Sequence, residues 1–287
     1  MKTNRLITTL AATAFALLVA ACAPQAAADQ ASADCAKDQL ATLTAGKLTI
    51  GTDSPAYAPW FVDDTPSNGK GFESAVAYAV AEKLGFSKDE VVWTVAAFSS
   101  VIAPGNKDFD FDINQVSITE ERKTAVDFSS GYYDVSQAII TLKDSKFAGV
   151  TDIAGLKDAK IGAQVGTTSY NTIVDIIQPT QEASPFDTND IAKAALSSGL
   201  IDALVIDAPT AFFLTSAPGE YGGVDNSKIV GQFEAAAGGE QFGLVLNKDS
   251  VLTKCVSEAV DALRADGTLA ALADEWLASA GNAPILK

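Results

Sequence analysis

Two oppositely charged residues in this chain are suited to holding a zwitterion. Arg122 follows Ser117 just past a predicted strand, and its guanidinium could clamp a carboxylate through two parallel hydrogen bonds. Asp207 follows the apolar run at 203–206, so its carboxylate could meet an ammonium group or could instead cap the helix that begins there. An arginine on a solvated helix, paired with a neighbouring carboxylate, is the alternative interpretation of Arg122.

Further residues could complete a small-molecule pocket around that pair. Thr167 and Thr168 follow a glycine at a predicted strand-to-helix junction, where free N–H groups favour an anion such as a carboxylate. Tyr57 and Phe98 lie on loops after predicted strands and could form apolar walls, although core packing is the commoner fate of an aromatic residue. Asp53, at the end of the first predicted strand, is a second candidate partner for a cation.

The composition excludes several kinds of catalytic site. The 287 residues contain no histidine, which rules out Ser-His-Asp and Cys-His relays and histidine-bound zinc in an HExxH motif. The formal net charge of −16 disfavours binding to nucleic acid or to anionic lipid headgroups. No CxxC spacing occurs, and we predict neither a metal site nor a cofactor.

The first residues have the layout of a secretory signal that ends in a cysteine. Lys2 and Arg5 precede an uncharged apolar run at 6–21, which is shorter than the ~20 residues that a membrane span needs. Cys22 follows that run directly, and residues 19–22 resemble a bacterial lipobox, whose cysteine carries a lipid. The sequence therefore predicts a lipoprotein signal peptide at 1–21 and a lipid-anchored flexible tether at 22–40. An ordinary signal peptide with an incidental Cys22 is the alternative.

The other two cysteines are candidates for a disulfide bridge. Cys35 and Cys255 remain once Cys22 is acylated, and disulfides persist in oxidising compartments. A bridge across such a long stretch of chain would stabilise the fold by up to ~5 kcal/mol in the loop-entropy model. We predict this bridge; two buried free thiols are the alternative.

Strands and helices alternate along the rest of the chain in two sets of similar size. The apolar patterns predict strands at 48–50, 91–95, 109–113, 160–163, 203–206 and 241–246, and helices at 72–84, 119–123, 166–177, 191–197, 252–263 and 269–277. This alternation indicates an α/β protein with mainly parallel sheets flanked by helices. The cysteine pair would tie both chain ends to one lobe. This predicts lobe 1 at 41–136 plus 239–287 and lobe 2 at 137–238, joined by two hinge crossings around a cleft.

A series of short motifs resembles a known bacterial family. They are, in order, Gly51-Thr52-Asp53, Tyr57-Ala58-Pro59-Trp60, Gly71-Phe72-Glu73, Ser117-Ile118-Thr119-Glu120-Glu121-Arg122, Val126-Asp127-Phe128-Ser129, Gly166-Thr167-Thr168, Gly199-Leu200-Ile201-Asp202-Ala203 and Asp207. They are similar to those of the family 3 extracellular solute-binding proteins, the receptors of polar amino-acid ABC importers. The resemblance covers residues 48–276 and implies the two-lobed periplasmic-binding-protein fold (type II).

The resemblance also implies roles for single residues. Arg122, helped by the N–H of Thr168 and by Ser117, would clamp the ligand α-carboxylate, and Asp207 would receive its α-ammonium group. The side chain of the ligand would be enclosed by two aromatics, a carboxylate that can reach a distal cation, and two polar neighbours: Phe98, Tyr57, Asp53, Gln115 and Thr167.

The function implied is that of the substrate-binding component of an ABC importer, exported and lipid-anchored outside the cytoplasm. It would bind a free polar or basic amino acid as a monomer, close about hinges near 133–137 and 237–241, and deliver the ligand to a permease in the membrane. An enzyme similar to periplasmic cyclohexadienyl dehydratase, on the same fold, is the alternative. Without histidine, such an enzyme would need Glu73 or Asp53 as its general acid.

Overall fold

The computed structural model describes residues 35–219, 222–234, 239–277 and 283–287. The predicted signal peptide, Cys22 and the tether up to residue 34 lie outside these residues, so lipidation stays a prediction. In the part of the chain that is described, no helix is both long enough and apolar enough to cross a membrane.

The first lobe is built on a five-stranded sheet. Its strands are β1 (Leu48–Thr52), β2 (Val91–Val95), β3 (Phe111–Asp112), β4 (Val126–Val135) and β10 (Glu240–Asn247), in the order β2-β1-β3-β10-β4. β1 pairs in parallel with β2 and β3, whereas β10 runs antiparallel to β3 and β4. Leu48, Ile50 and Phe111 are fully buried in the core of this lobe.

The second lobe is built on a six-stranded sheet. Its strands are β5 (Gln137–Leu142), β6 (Ile161–Gln164), β7 (Ser184–Phe186), β8 (Ala203–Asp207), β9 (Ser227–Phe233) and β11 (Ile285–Leu286), in the order β11-β9-β5-β8-β6-β7. β5 runs antiparallel to both of its neighbours, and the other pairs are parallel. The predicted two-lobed α/β fold is confirmed. Both sheets are mixed, because β10 in the first sheet and β5 in the second run antiparallel to both of their neighbours.

Helices cover the two sheets and bring polar residues to the space between them. α1 (Phe72–Lys83), α6 (Thr253–Ala265) and α7 (Thr268–Leu277) pack in the first lobe, and α2 (Phe98–Ile102) follows β2; α3 (Thr168–Asn171), α4 (Asn189–Ser197) and α5 (Ala208–Ser216) belong to the second lobe. α1 begins directly after Gly71, whose φ is 97°. A Cβ at Gly71 would lie 2.4 Å from the carbonyl oxygen of Trp60, so a side chain does not fit there.

The C-terminal strand joins the second lobe. The sequence predicted that residues up to 287 belong to lobe 1, but Ile285 and Leu286 pair with β9. Leu286 is 2% exposed and packs so closely on Gly231 that a Cβ there would lie 2.6 Å from its Cγ. As judged from the described elements, the chain therefore passes between the lobes a third time, after α7, in addition to the two predicted crossings at β4–β5 and β9–β10.

Gln232, on β9, forms hydrogen bonds to the other two chain segments that pass between the lobes. Its backbone N–H donates to the oxygen of Pro284 at 2.8 Å, and its side-chain Nε2 donates to the oxygen of Ala283 at 2.9 Å. Its Oε1 accepts from the hydroxyl of Ser136, which lies between β4 and β5, at 3.1 Å. The chain segments that link the lobes are thus hydrogen-bonded to one another through Gln232.

The predicted disulfide between Cys35 and Cys255 is present. Cys35 is 2% exposed, and Cys255 lies on α6 with 6% exposure, so the bridge is part of the core of the first lobe. The residues just after Cys35 form a short 3₁₀ turn, Lys37–Gln39. The predicted flexible tether therefore ends earlier than residue 40, because the bridge fixes Cys35 to the lobe.

Candidate functional site

A cavity of ≈100 Å³ lies between the two lobes. Its lining includes every residue that the sequence predicted for ligand binding: Asp53, Tyr57, Phe98, Gln115, Ser117, Arg122, Thr167, Thr168 and Asp207. Those up to Arg122 come from the first lobe and the others from the second. The structure thus brings the predicted residues together, while their role in ligand binding remains a prediction.

Arg122 is held between the lobes by two carbonyl groups. Its Nη1 donates to the oxygen of Ser117 at 2.7 Å, and its Nη2 donates to the oxygen of Gly166 at 2.9 Å. The guanidinium lies over the Phe98 ring, 5.4 Å from its centroid, and Arg122 is only 8% exposed. The alternative of a solvated helix arginine is therefore wrong. A guanidinium has five N–H groups, so N–H donors remain for a carboxylate in the cavity.

Asp207 faces the cavity and does not cap its helix. It is the N-cap residue of α5, but its side chain makes no capping hydrogen bond. Instead, its Oδ1 accepts from Nε2 of Gln137 at 2.7 Å. Burial, together with repulsion from Glu240, raises the pKa of Asp207 to about 8, and the hydrogen bond from Gln137 and the nearby Arg122 only partly oppose this shift. Without a cation in the cavity, Asp207 is therefore largely protonated at neutral pH.

Hydrogen bonds join the two lobes near the cavity. The Tyr57 hydroxyl donates to Oδ2 of Asp190, which also pairs with Lys193 at 2.9 Å. Nε1 of Trp60 donates to the hydroxyl of Thr210 at 2.9 Å. Tyr57 and Trp60 belong to the first lobe and their partners to the second, so the structure is a closed form.

Two of the predicted residues use their side chains mainly within their own lobe. The Thr167 hydroxyl accepts from the N–H of Tyr170 at 3.1 Å and thereby caps α3. The side-chain amide nitrogen of Gln115 donates to the Glu73 carboxylate, which also accepts from the Gln115 backbone N–H at 2.8 Å. Thr167 can therefore offer the cavity its backbone more readily than its hydroxyl, and Gln115 can offer its amide oxygen.

Asp53 is placed by backbone groups beside the aromatic wall. Its Oδ1 accepts from the N–H of Ser54 at 2.7 Å, and its Oδ2 accepts from the N–H of Phe98 at 3.3 Å. In the described part of the chain, no ion pair involves Asp53. Its negative charge is thus available to a cation in the cavity.

Glu240, Gln137 and Asp190 are among the residues at this site that were not predicted from the sequence. Glu240 and Gln137 form hydrogen bonds with Ser117, Thr168 and Asp207 just behind the cavity wall. Asp190, in the first turn of α4, lines the cavity itself. An acidic residue at a helix start has an ordinary structural explanation, and Gln137 and Glu240 follow no local pattern, so no signal in the sequence marked them.

The family comparison agrees with this arrangement. Residues 48–279 match the family model of the bacterial extracellular solute-binding proteins, family 3. The chain belongs to this family. The match spans both sheets except β11, and it contains all the residues that line the cavity.

Known relatives of this solute-binding protein cover most of its length. A probable histidine-binding protein of Campylobacter jejuni is 30% identical over 225 residues, which are 77% of this chain and 80% of the relative. The glutamine-binding protein of an ABC transporter in Bacillus subtilis is 28% identical over 268 residues, which are 91% of this chain and 92% of the relative. A solved structure, an ancestral arginine-binding protein bound to arginine, has a TM-score of 0.66 and 30% identity over 80% of this chain and 98% of its own.

The dehydratase alternative gains no support from Glu73. This residue is fully buried, does not line the cavity and hydrogen-bonds to Tyr132 and Gln115. Burial raises the pKa of Glu73 to about 7, although its hydrogen bonds act in the opposite direction. A general acid must reach the atom that it protonates, and Glu73 of this solute-binding protein does not reach the cavity.

Proposed function

We propose that this protein is the extracytoplasmic substrate-binding component of an ABC importer and binds a free amino acid with a cationic side chain. The observation that carries the proposal is the presence of Arg122 and Asp207 on the wall of one cavity, each from a different lobe. A free amino acid carries one carboxylate and one ammonium group. It can therefore satisfy both residues at once.

The carboxylate of the ligand lies against Arg122 and the ammonium against Asp207. The guanidinium keeps N–H donors beyond those bound by Ser117 and Gly166. The N–H of Thr168, at the start of α3, adds a donor without an intrahelical partner. Because the ligand contacts both lobes, it binds the closed form better than an open one and shifts the population toward closure.

The charges around the cavity favour a cationic side chain. Its charged lining residues are Arg122, Asp207, Asp53 and Asp190. The zwitterion accounts for the first two, and Asp190 pairs with Lys193. The Asp53 carboxylate then has no cation opposite it, and an ammonium or guanidinium group at the end of the ligand supplies one.

Location and partners belong to the same proposal. The lipobox-like residues 19–22 support a lipid on Cys22, and the family supports delivery of the ligand to a membrane permease. The relatives include the glutamine-binding protein of an ABC transporter, which supports the transport role. We expect the protein to act as a monomer.

A thermal-shift panel of the twenty amino acids tests the function. The chain from residue 23 is refolded under oxidising conditions, which removes carried-over ligand and restores the Cys35–Cys255 bridge. A ligand at about a hundredfold its dissociation constant adds roughly 2.7 kcal/mol of stability. We expect the largest shifts with L-arginine and L-lysine. A panel without any response would contradict the function, and a response to acidic amino acids alone would contradict the ligand class.

Ligand affinity is expected to fall as the pH is lowered from 8 to 6. The pKa of Asp207 is about 8 in the empty site, and a bound ammonium group lowers it because it stabilises the carboxylate. Below pH 8 the protein must release a proton to bind, so the dissociation constant rises by up to about tenfold per pH unit. Calorimetry with L-arginine at pH 6, 7 and 8, in buffers of different ionisation enthalpy, measures the affinity and the proton release.

Asp207→Asn is the control for this pH dependence. The variant should bind L-arginine more weakly than the unmodified protein at pH 8 and show little change in affinity between pH 6 and 8. A wild-type affinity that stays constant over this range, with no proton release, would show that Asp207 is already ionised before the ligand arrives.

A further inference from the structure

Glu240 places a carboxylate directly behind the cavity, where the two lobes meet. It is the first residue of β10 and pairs with Val135 in the ladder to β4. Its Oε1 accepts from the hydroxyl of Ser117, in the first lobe, at 2.5 Å. The same oxygen accepts from the hydroxyl of Thr168, in the second lobe, at 2.6 Å. One carboxylate therefore binds cavity-lining hydroxyls of both lobes.

These hydrogen bonds decide what the two hydroxyls can offer to a ligand. An ionised carboxylate only accepts hydrogen bonds, and a hydroxyl has one proton and two lone pairs. Ser117 and Thr168 both give their proton to Glu240, so each presents only lone pairs to the cavity that they line. Lone pairs repel a carboxylate and attract an ammonium group.

Gln137 extends the same polarity toward Asp207. Its Oε1 accepts from the hydroxyl of Ser169 at 2.6 Å, which fixes the amide so that Nε2 points the other way. Nε2 donates to Asp207 at 2.7 Å and lies 3.2 Å from Oε2 of Glu240. The Asp207 carboxylate and the hydroxyl oxygens of Ser117 and Thr168 therefore present acceptors to the cavity, whereas Arg122 presents donors.

We propose that Glu240 is a positioning residue that sets the direction in which the amino acid lies in the cleft. It holds the Ser117 and Thr168 hydroxyl protons, so that these oxygens accept from the α-ammonium group beside Asp207 and leave the carboxylate to Arg122. This inference rests on the proposed function and refines the role predicted for Ser117, whose hydroxyl faces the ammonium group of the ligand and not its carboxylate.

The experiment compares Glu240→Gln with the unmodified protein on three probes. L-arginine carries both α-groups, agmatine lacks the carboxylate, and 5-guanidinopentanoate lacks the α-ammonium group. Dissociation constants are measured by calorimetry at pH 8. We expect Glu240→Gln to weaken L-arginine and agmatine at least tenfold and to leave 5-guanidinopentanoate unchanged or tighter, because the variant removes negative charge and frees the hydroxyl protons. If the panel selects another amino acid, its own deaminated and decarboxylated analogues replace these probes.

Two further variants separate this role from a structural one. Glu275→Gln makes the same charge change on the exposed surface of α7 and should leave all three affinities unchanged. Thr168→Val keeps the shape of the side chain but removes the hydroxyl, and it should also weaken L-arginine and agmatine more than 5-guanidinopentanoate. It tests the inference even if Glu240→Gln does not fold.

The outcomes distinguish the inference from the function on which it rests. Equal losses on all three probes would overturn the positioning role and leave Glu240 as a structural hinge residue. A larger loss on 5-guanidinopentanoate would reverse the proposed direction of the ligand. If the unmodified protein binds no amino acid, the proposed function fails before the Glu240 variant is compared.

Discussion

Replacement of Arg122 by alanine should abolish most of the ligand binding. The side chain is 8% exposed, donates to a carbonyl in each lobe and lies on the cavity wall. Removal of one partner of a desolvated, hydrogen-bonded charge pair costs ~2–5 kcal/mol, which corresponds to a loss of affinity between about thirtyfold and a few thousandfold. Calorimetric titration with the amino acid selected by the thermal-shift panel measures the effect.

Lys123→Ala is the matched control for Arg122→Ala. Lys123 is the next residue in the chain, but its side chain is 46% exposed and pairs with Glu120 on the surface. Its loss should change the affinity less than twofold. Arg122→Lys should also bind poorly, because a lysine cannot bind a carboxylate through two parallel N–H groups. An Arg122→Ala variant with unchanged affinity would contradict the proposed site.

Of the variants proposed for this protein, the one without the disulfide should lose the most stability, while its affinity for the ligand should not change. The double variant Cys35→Ser, Cys255→Ser should unfold with a free energy ~2–5 kcal/mol lower, since the bridge restrains the unfolded chain across a separation of 220 residues. Neither cysteine lines the cavity, so ligand affinity at 25 °C should stay within a factor of two. Chemical denaturation and calorimetry measure the two quantities.

A reducing agent provides the control for this variant. It should lower the stability of the unmodified protein by breaking the bridge. It should leave the double variant unchanged, because a chain that begins at residue 23 and lacks Cys35 and Cys255 contains no cysteine. Equal stability of the two proteins under oxidising conditions would mean that the bridge adds nothing to the fold.

The elements with regular apolar patterns were predicted well. β2 was predicted at 91–95 and has those bounds, and α1 was predicted at 72–84 and ends at Lys83. Their boundaries depend on local features such as the glycine before α1 and the apolar spacing along it. Short-range chemistry is visible in the sequence, which is why these elements could be predicted.

Elements that depend on side-chain contacts with distant residues were predicted less well. The strand expected at 109–113 is reduced to Phe111–Asp112. The Asp110 carboxylate accepts instead from the N–H groups of Leu43 and Thr49, at 2.7 Å each. The helix expected at 119–123 is a single 3₁₀ turn, Arg122–Thr124.

The C-terminal strand could not be predicted from its own residues. Ile285 and Leu286 are too few to show a period, and the place that they occupy is set by Gly231 and Gln232 on β9. Such a contact depends on how the two lobes are connected. The same reason hid Glu240 and Gln137, whose partners lie between 31 and 123 residues away in the chain.

The sequence identified residues that line the site, but it did not identify the hydrogen bonds that their side chains form. Every predicted ligand-binding residue lines the cavity. The side chains of Thr167 and Gln115, however, are engaged by a helix start and by the buried Glu73. Which atoms face a ligand depends on the partners that surround each side chain in the closed form, and no spacing along the chain specifies them.

The Cys35–Cys255 bridge also determines where a mechanical load enters the molecule. A pull on the chain before Cys35 passes through the two sulfur atoms into α6 and the core of the first lobe. Along this path, the force passes neither through the backbone that leads to β1 nor through the strands that link the lobes. A tension on that end of the chain therefore acts on the core of the first lobe, and the path through the bridge bypasses the strands that link the lobes.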